Sequence, residues 1–437
     1  MSATGALDAT GVPVSPHALS NISRGRALAM LGLLCLINAL SYVDRSMLAL
    51  VMPQMTRELQ LSDTISGLVA GLPFALCYAA CAIPAAWIAD NRNRRNLLAC
   101  ALAVWSVVTI LTGLVQNGWQ LALARFGLGA GESAGHPTTA SLIGDGFDVK
   151  TRTAAFAALS SSAYLGPLVG FPVVGWLLTQ HGWRTAYWTA GVAGLVAALL
   201  FVLVVREPPR GRPLGEGSSV AFLPRVRRLL ATRSYGWIVF AGGFNAINQG
   251  AHLTWGPTFL ERVHHLDPQQ VGLYFGTLRG VAGLAGAVVA AAGIGALVAR
   301  DLRWQIRFGV LVAALPFLTD ALFLFGLEPG LWRLGLGLSA FVTAIAIAMS
   351  YPLYVNAAPA DLRATASAFY FLVASLMGFI LGPFAVGVVS DALAPTMGGG
   401  SLPVAMLAAS SAALLSCICL LFASRTWLAD VQSAEAA

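Results

Sequence analysis

The sequence predicts an all-α integral membrane protein whose twelve transmembrane helices form two pseudo-symmetric six-helix bundles. Three observations carry this prediction. Of the 437 residues, 57% are hydrophobic and only 10% are charged, whereas a soluble domain is about 25% charged. The apolar residues are gathered into segments of about the 20 residues that a helix needs to cross a bilayer. Features of the first half of the chain also return in the second half.

Twelve apolar segments of the required length follow one another along the chain. Prolines within or near several of them are tolerated, because neighbouring helices and water satisfy the carbonyl groups that proline leaves free. The segments are 27–51, 64–88, 97–116, 119–143, 153–178, 184–205, 235–260, 269–298, 305–327, 331–355, 364–389 and 401–424.

The polar stretches around these segments divide the chain into domains. The first residues are polar and small and lack the apolar core of a signal peptide, so we expect a disordered cytoplasmic tail. The longest gap between segments contains a basic cluster that would suit anionic lipid, although topology alone also explains it. The predicted domains are a tail at 1–26, a six-helix bundle at 27–205, a cytoplasmic linker at 206–234, a six-helix bundle at 235–424 and a cytoplasmic tail at 425–437.

Basic residues are distributed unequally between the two sides of the predicted membrane. With the N-terminus in the cytoplasm, 19 of the 26 Lys and Arg residues lie in cytoplasmic segments, four lie in outer loops and three lie within spans. This asymmetry follows the positive-inside rule. It predicts a multi-pass protein of the cell inner membrane with both termini in the cytoplasm.

The two halves of the chain repeat one spacing. Arg152 opens the fifth segment and Pro172 follows 20 residues later, as Pro383 follows Arg363 in the eleventh. Internal duplication of this kind is typical of transporters, whose substrate site lies near the midplane between the two repeats.

The fourth segment carries three ionisable residues at the expected depth of the membrane. Arg125 and Glu132 are two helical turns apart and His136 lies one turn further on, so all three share a helix face. Such groups cost at least about 2.5–3.5 kcal/mol to insert and usually face a bundle interior or a wet cavity. This favours a buried polar site, although a charge pair that only locks two helices together would give the same pattern.

The connection between the second and third segments resembles a known family signature. Residues 86–95 read A-W-I-A-D-N-R-N-R-R, similar to the G-x-L-a-D-r-x-G-r-k loop of the major facilitator superfamily. Ala86 and Asn93 replace the usual glycines, while Asp90, Arg94 and Arg95 are retained. The resemblance implies that these three residues form a cytoplasmic gate, which latches the two bundles together when the protein faces outward.

Within that superfamily the chain is similar to the Spinster group. Residues 38–45 read N-A-L-S-Y-V-D-R, similar to the N-Y-x-D-R of that group, and the fourth and eleventh segments match it as well. The resemblance covers about residues 27–424. It implies the major facilitator fold, alternating access by rocking of the bundles, and transport energised by a proton gradient or by the gradient of the substrate itself. Members of the group are linked to lysophospholipids and sphingoid phosphates.

Proton coupling requires an acid whose protonation differs between the two access states. Burial raises the pKa of a carboxyl group and a nearby cation lowers it. We therefore expect Asp44 and Glu132 to be the titrating pair and Arg45 and Arg125 to be their exchangeable partners. Asp44 and Arg125 lie at a similar depth, about 10 Å from the outer end of their helices, and are expected to pair. A purely structural ion pair remains an alternative for Asp44.

Further polar residues within the spans are candidates for the substrate cavity. Arg279 could bind an anionic substrate as a bidentate donor or pair with Asp320 of the next segment. His136 could line the cavity or serve helix packing, and Tyr354 could form part of an amphipathic wall. The seventh segment adds a polar stripe that would face either the cavity or a neighbouring helix, formed by Asn245, Asn248, Gln249 and His252.

The sequence gives little support for an enzyme. It contains no phosphate-binding glycine loop, no HExxH motif and no cysteine–histidine cluster, so we predict no enzyme, no cofactor and no metal site. We expect a monomeric, proton-coupled transporter of a small organic or amphipathic anion, in contact with membrane lipids and not with nucleic acid. A lysolipid or sphingoid-type lipid is the alternative substrate. An uncoupled sensor or lipid scrambler is the alternative of another class.

Overall fold

The computed structural model describes residues 24–147, 149–208, 222–290, 292, 298, 301–359 and 362–436, apart from a few side chains within helices. These residues form helices and no strands. The helices are α1 Arg24–Leu59, α2 Asp63–Asn91, α3 Arg94–Thr112, α4 Gly118–Glu132, α5 Gly135–Gly146, α6 Val149–Val204, α7 Phe222–Leu230, α8 Arg233–His264, α9 Pro268–Val289, α10 Arg303–Ala313, α11 Leu315–Phe325, α12 Pro329–Asn356, α13 Arg363–Leu376, α14 Gly382–Met397, α15 Ser401–Ser410, α16 Ala412–Ser424 and α17 Trp427–Ala436.

Over the described residues these helices make twelve membrane crossings, as predicted. The long helix α6 is two crossings that turn at Gly182, whose φ of 76° lies in the left-handed region that favours glycine. Four other crossings are built from consecutive helices: α4 with α5, α10 with α11, α15 with α16, and α13 with α14. A π-helical turn at Met377–Leu381 joins α13 to α14.

Two of the twelve crossings are less apolar or more broken than the rest. Eight stretches of helix, two of which contain two crossings each, are long and apolar enough to span a membrane by length and composition. The crossings outside these stretches are the broken pair α4–α5 and helix α8. They carry the polar residues that the sequence analysis singled out in the fourth and seventh segments, and polar groups at membrane depth usually face a bundle interior or a wet cavity.

The buried apolar residues show where the two halves of the molecule meet. One cluster joins them at the end where α1 turns into α2 and α8 turns into α9, which we call the closed end; it includes Met52, Phe171, Trp255, Phe259 and Phe275. At the opposite end, called the open end, residues of α1–α6 and residues of α7–α17 form two separate clusters. The halves are therefore packed together at one end only.

Helices of the two halves approach closely through glycine. A Cβ atom added to Gly71 of α2 would lie 1.5 Å from the carbonyl oxygen of Phe379, and one added to Gly272 of α9 would lie 2.4 Å from that of Phe171. Side chains at these positions would push the backbones apart. Glycine thus permits the close contacts of α2 with the Met377–Leu381 turn and of α6 with α9.

The predicted linker 206–234 and the predicted tail 425–437 each contain a helix. Residues 209–221 of the predicted linker lie outside the described residues, but α7 follows them and buries Val226 and Leu229 against the second half. After the last crossing, α17 buries Trp427 in the same cluster. Apolar residues spaced three or more positions apart in these short segments give each helix one face to bury. Most of the predicted first tail also lies outside the described residues.

Candidate functional site

Glu132 and Arg45 form an ion pair at the centre of the first half. Glu132 ends α4, at the break before α5, and its side chain is fully buried. Arg45 of α1 donates to Glu132 Oε2 through Nε at 3.0 Å and also through Nη2. Ser41, one turn earlier on α1, donates to the same oxygen at 3.1 Å. Glu132 Oε1 has no hydrogen-bond partner, so all polar contacts of this carboxylate are concentrated on one oxygen.

The Arg45 guanidinium is surrounded by aromatic rings. It lies 5.1 Å from the ring centre of Phe74, 5.5 Å from that of Tyr78 and 5.7 Å from that of Tyr42. Rings at this distance attract a cation through their negative faces. The Arg45 side chain remains 20% exposed although Glu132 is not exposed at all. The cation of the pair is therefore the member that a substrate could reach.

Asp44 is buried beside this pair, but its partner differs from the expected one. Asp44 Oδ2 lies 2.5 Å from the hydroxyl oxygen of Thr109 on α3, and Oδ1 has no partner. Arg125, which was expected to pair with Asp44, donates instead to the carbonyl oxygen of Ala70 at 2.9 Å and lies 5.2 Å from the ring centre of Phe74. The Asp44–Arg125 pair is thus not formed in this conformation, because Arg125 is turned towards the backbone of α2.

Phe74, which the sequence analysis did not single out, and the predicted residue His136 lie at the edge of this cluster. Phe74 is flanked by both guanidiniums, of Arg45 and Arg125, and also meets Phe379 of the π-helical turn at a centroid distance of 6.0 Å. His136 lies just inside α5, is exposed, and is close enough to Arg45 for that charge to act on its ring. The cluster therefore reaches both an accessible surface and the other half of the molecule.

Asp320 gathers a second polar cluster in the other half. It is fully buried, accepting hydrogen bonds from Ser339 at 2.6 Å and Ser410 at 3.1 Å. His252 of α8 places Nε2 3.6 Å from Asp320 Oδ2. Arg279, the partner considered from sequence, has its guanidinium over the ring of Phe275 at 4.9 Å. Histidine thus takes the place beside Asp320 that was considered for arginine.

Most of the other predicted cavity residues of the second half are buried. Asn245 faces a small cavity among α8, α10, α12, α13 and α16 that Tyr370 also lines. Tyr354 is buried behind it, with its ring stacked 4.2 Å from Tyr370. Gln249 is half-buried, whereas Asn248 and His252 are buried. Most of the stripe on α8 therefore makes contacts between helices in this conformation.

Two of the three predicted gate residues are described by the structure, and they act within the first half. Arg94 pairs with Asp145 and donates to Glu207 Oε1 at 2.8 Å. Arg95 donates its backbone N–H to Glu207 Oε2 at 2.8 Å. Asp90 lies in the last turn of α2, and its side chain is outside the described part of the structure. The basic members of the motif therefore tie α3 to α5 and to the segment after α6.

A polar network at the closed end joins the two halves and was missed from sequence. Arg262 of α8 donates to both carboxylate oxygens of Asp63 on α2, at 2.7 and 2.8 Å, and Ser390 donates to Asp63 Oδ2 at 2.8 Å. Asp391 accepts the backbone N–H groups of Asp63 at 3.1 Å and Thr64 at 2.8 Å. An aspartate at the end of one crossing thereby caps the N-terminus of a helix in the other half. The available sequence signal was an aspartate beside the end of a predicted apolar segment, Asp63 before 64–88 and Asp391 after 364–389.

Comparisons with known proteins agree on the type of molecule. A family model described as the Major Facilitator Superfamily matches residues 34–383. An MFS-type efflux pump of Mycolicibacterium smegmatis is 30% identical over 416 residues, covering 93% of this chain and 94% of that protein. Protein spinster homolog 1 of Xenopus laevis is 28% identical over 404 residues, covering 86% of this chain and 75% of that protein.

A solved structure has the same fold over almost the whole chain. It is a bacterial homolog of the human lysosomal transporter Spinster, in an inward-facing and unoccupied conformation. The TM-score is 0.80 at 24% identity, and the match covers 93% of this chain and 99% of the other. The helix order and the packing of the two halves are therefore those of a known architecture.

Proposed function

We propose that this chain, which belongs to the Major Facilitator Superfamily and is similar to its Spinster group, carries an organic or amphipathic anion across the membrane together with a proton. Its relatives are membrane transporters and not enzymes, as the sequence predicted. The nature of the substrate and the coupling to protons are the proposal. The two units that move are the predicted bundles, 27–205 and 235–424.

The Arg45–Glu132 pair is the observation that carries this proposal. A buried carboxylate whose partner is removed is destabilised by about 3–5 kcal/mol. Arg45 is partly exposed and is a bidentate donor suited to carboxylates and phosphates. An anionic substrate that binds Arg45 competes with Glu132 for its donors. Glu132 then loses its counter-ion at a buried position, where taking up a proton is the least costly response.

This exchange gives coupling a definite sign. Binding of the anion favours binding of the proton to Glu132, and binding of the proton frees Arg45 for the anion. By linkage each must raise the affinity for the other to the same extent. Anion and proton therefore travel in the same direction, and the gradients of both set that direction. An exchanger that moves them in opposite directions would require the two to compete.

The contacts of Asp44 support a second proton in the same cluster. The Thr109 hydroxyl carries one proton but faces two acceptors, Asp44 Oδ2 at 2.5 Å and the carbonyl oxygen of Trp105 at 3.0 Å. When that proton goes to Trp105, the short contact with Asp44 needs a proton on the carboxyl group. A protonated Asp44 donates to Thr109 and adds no charge to the cluster. Asp44 is accordingly proposed to share the proton-carrying role with Glu132.

Alternating access follows from the two ends of the molecule. Under the positive-inside orientation the closed end faces the outside and the open end faces the cytoplasm. The conformation described is then open to the cytoplasm. Transport requires the contacts at the closed end to separate and the Asp90–Arg94–Arg95 region to close.

The experiment is a flux assay in proteoliposomes with a panel of anions that includes sugar acids, aliphatic carboxylates and lysophospholipids. A pH-sensitive dye inside the vesicles reports proton movement for the wild type and for Glu132→Gln. Glu328→Gln is the matched control, since it makes the same change at an exposed position at the start of α12. We expect inward proton flux that depends on one class of anion, is retained by the control and is lost in Glu132→Gln.

The other outcomes separate the alternative functions. Anion flux of equal size in Glu132→Gln, with no proton movement in either protein, identifies a carrier that is not coupled to protons. Flux of a lysophospholipid alone identifies the lipid substrate. Movement of bilayer lipid without dependence on any added anion identifies a scrambler.

A further inference from the structure

We infer that His252 and Asp320 form a second proton-binding site, in the bundle opposite the Arg45–Glu132 pair. Both residues are buried, with His252 only 3% exposed and Asp320 not exposed at all. His252 Nε2 lies 3.6 Å from Asp320 Oδ2 and has no hydrogen-bond partner. The proton site follows from this geometry alone. Its part in transport rests on the proposed function.

The tautomer of His252 is fixed by its backbone contact. Nδ1 lies 3.1 Å from the carbonyl oxygen of Asn248, one turn earlier on α8. A carbonyl oxygen only accepts, so Nδ1 carries a proton and donates it to Asn248. In the neutral ring, Nε2 then carries no proton, and its lone pair faces the Asp320 carboxylate. Two acceptors face each other at the centre of a bundle unless a proton lies between them.

One proton removes this conflict whichever residue holds it. On His252 it produces an imidazolium beside a carboxylate, and on Asp320 it produces a carboxylic acid beside a neutral ring. The remaining contacts of Asp320 are the hydroxyl groups of Ser339 on α12 and Ser410 on α15. Arg279 of α9 is a further charged group near Asp320.

The pair is connected to the contact between the bundles. Trp255, close to one turn after His252 on α8, donates its indole N–H to the carbonyl oxygen of Pro383 at 2.9 Å. That same oxygen faces Gly67 of α2 in the other bundle, where an added Cβ would lie only 2.3 Å away. A proton draws His252 towards Asp320, and its loss leaves two acceptors that repel. The state of the pair therefore acts on the helix that supports the α2 contact.

Proton counting on the purified protein tests the site without substrate. We would titrate wild type, His252→Gln, Asp320→Asn, the double variant and Glu132→Gln in detergent, between about pH 5 and 9, where histidine pairs titrate. We expect His252→Gln and Asp320→Asn each to release about one proton fewer than wild type. The double variant should release the same number as either single variant, because the two residues share one proton. Glu132→Gln should retain this proton.

Equal proton release in wild type, His252→Gln and Asp320→Asn would overturn the inference, as would separate losses that add in the double variant. Ser339→Ala covers the case in which those variants fail to fold, because it keeps both titrating groups. It removes one donor to Asp320 and should shift the midpoint of the same proton, whereas an unchanged titration counts against the site. A carrier without proton coupling would still bind this proton, so the result is separate from the flux assay.

Discussion

At the scale of residues, the proposed mechanism depends on the carboxylate of Glu132, which would compete with an anionic substrate for one cation, Arg45. One oxygen of Glu132 accepts hydrogen bonds from Nε and Nη2 of Arg45 and from the hydroxyl of Ser41, while its other oxygen has no partner. A carboxylate whose polar contacts all lie on one oxygen can change partners readily, because its other oxygen makes no contact that would hold it in place. Because Arg45 is the partly exposed member of the pair, we propose that it is the residue that meets the substrate.

Replacing Arg45 by lysine should weaken anion binding and leave the fold intact. Lysine keeps the charge but loses the planar set of donors that serves an anion and Glu132 alternately. We expect an increase in Kd of about tenfold, equivalent to about 1.4 kcal/mol, for the anion identified by the flux panel. Equilibrium binding measures it, with Arg333→Lys as the matched control at the closed end. Equal Kd values for wild type and Arg45→Lys would place the anion elsewhere.

Replacing Asp44 by asparagine should separate exchange from accumulation. The amide still hydrogen-bonds to Thr109 but takes up no proton. We expect exchange of labelled for unlabelled anion to stay within about fivefold of wild type, because the amide keeps the contact with Thr109 and a single hydrogen bond is worth about 1 kcal/mol. Accumulation driven by an imposed pH gradient should be lost. An Asp44→Asn protein that still accumulates the anion against its gradient contradicts a proton role for Asp44.

The ionisable residues of the first bundle could be selected from the sequence, but not which acid pairs with which arginine. Glu132, Arg45, Asp44 and Arg125 stand out because ionisable groups are costly within an apolar segment. Their pairing depends on the rotation of each helix and on the break between α4 and α5, which spacing does not specify. Arg125 therefore faces Ala70 and not Asp44.

At the scale of the helices, function depends on how closely crossings from different bundles approach. The α2 helix meets the π-helical turn at Gly71, and this turn also presents Phe379 to Phe74 beside the charge cluster. Such π-helical segments occur frequently at functional sites. A change in the charge cluster can thus reach the bundle contact through two neighbouring residues.

Replacing Gly71 by alanine should weaken the closed end. The added Cβ would meet the backbone carbonyl of Phe379, which a side-chain rotation cannot relieve. Overpacking of this kind costs about 1–3 kcal/mol, so we expect labelling of a cysteine placed in the α1–α2 connection to be at least about fivefold faster. Gly337→Ala is the matched control, since nothing lies within 4 Å of its Cβ position. The same labelling rate in both variants would show that this contact does not hold the closed end.

The ion pairs at the closed end should differ in their effect. Arg262 donates to both oxygens of the mostly buried Asp63, whereas Arg57, 69% exposed, pairs with Glu261 through one contact. Exposed pairs contribute little because water and salt screen them. We expect Arg262→Gln to lengthen the distance between spin labels on the α1–α2 and α8–α9 connections, and Arg57→Gln to leave it unchanged. An equal change of the spin-label distance in Arg262→Gln and Arg57→Gln would contradict the prediction that the two ion pairs differ in their effect.

At the scale of the whole molecule, the sequence was sufficient for the architecture and not for the conformation. Apolar segment length, the repeated Arg–Pro spacing and the signature at 86–95 led to twelve crossings and the correct superfamily. The two states of a rocking transporter use the same segments and the same patterns of hydrophobicity. Which end is closed depends on contacts such as Arg262 with Asp63 and Asp391 with the start of α2, between residues about 200 and 330 positions apart.

The central claim is that binding of the anion makes Glu132 take up a proton. Calorimetric titration of the purified protein with the transported anion, in buffers of different ionisation enthalpy, counts the protons taken up on binding. We predict about one proton per anion for wild type, and a value lower by about one for Glu132→Gln. Proton uptake that is absent from wild type, or that is the same in Glu132→Gln, would contradict the account.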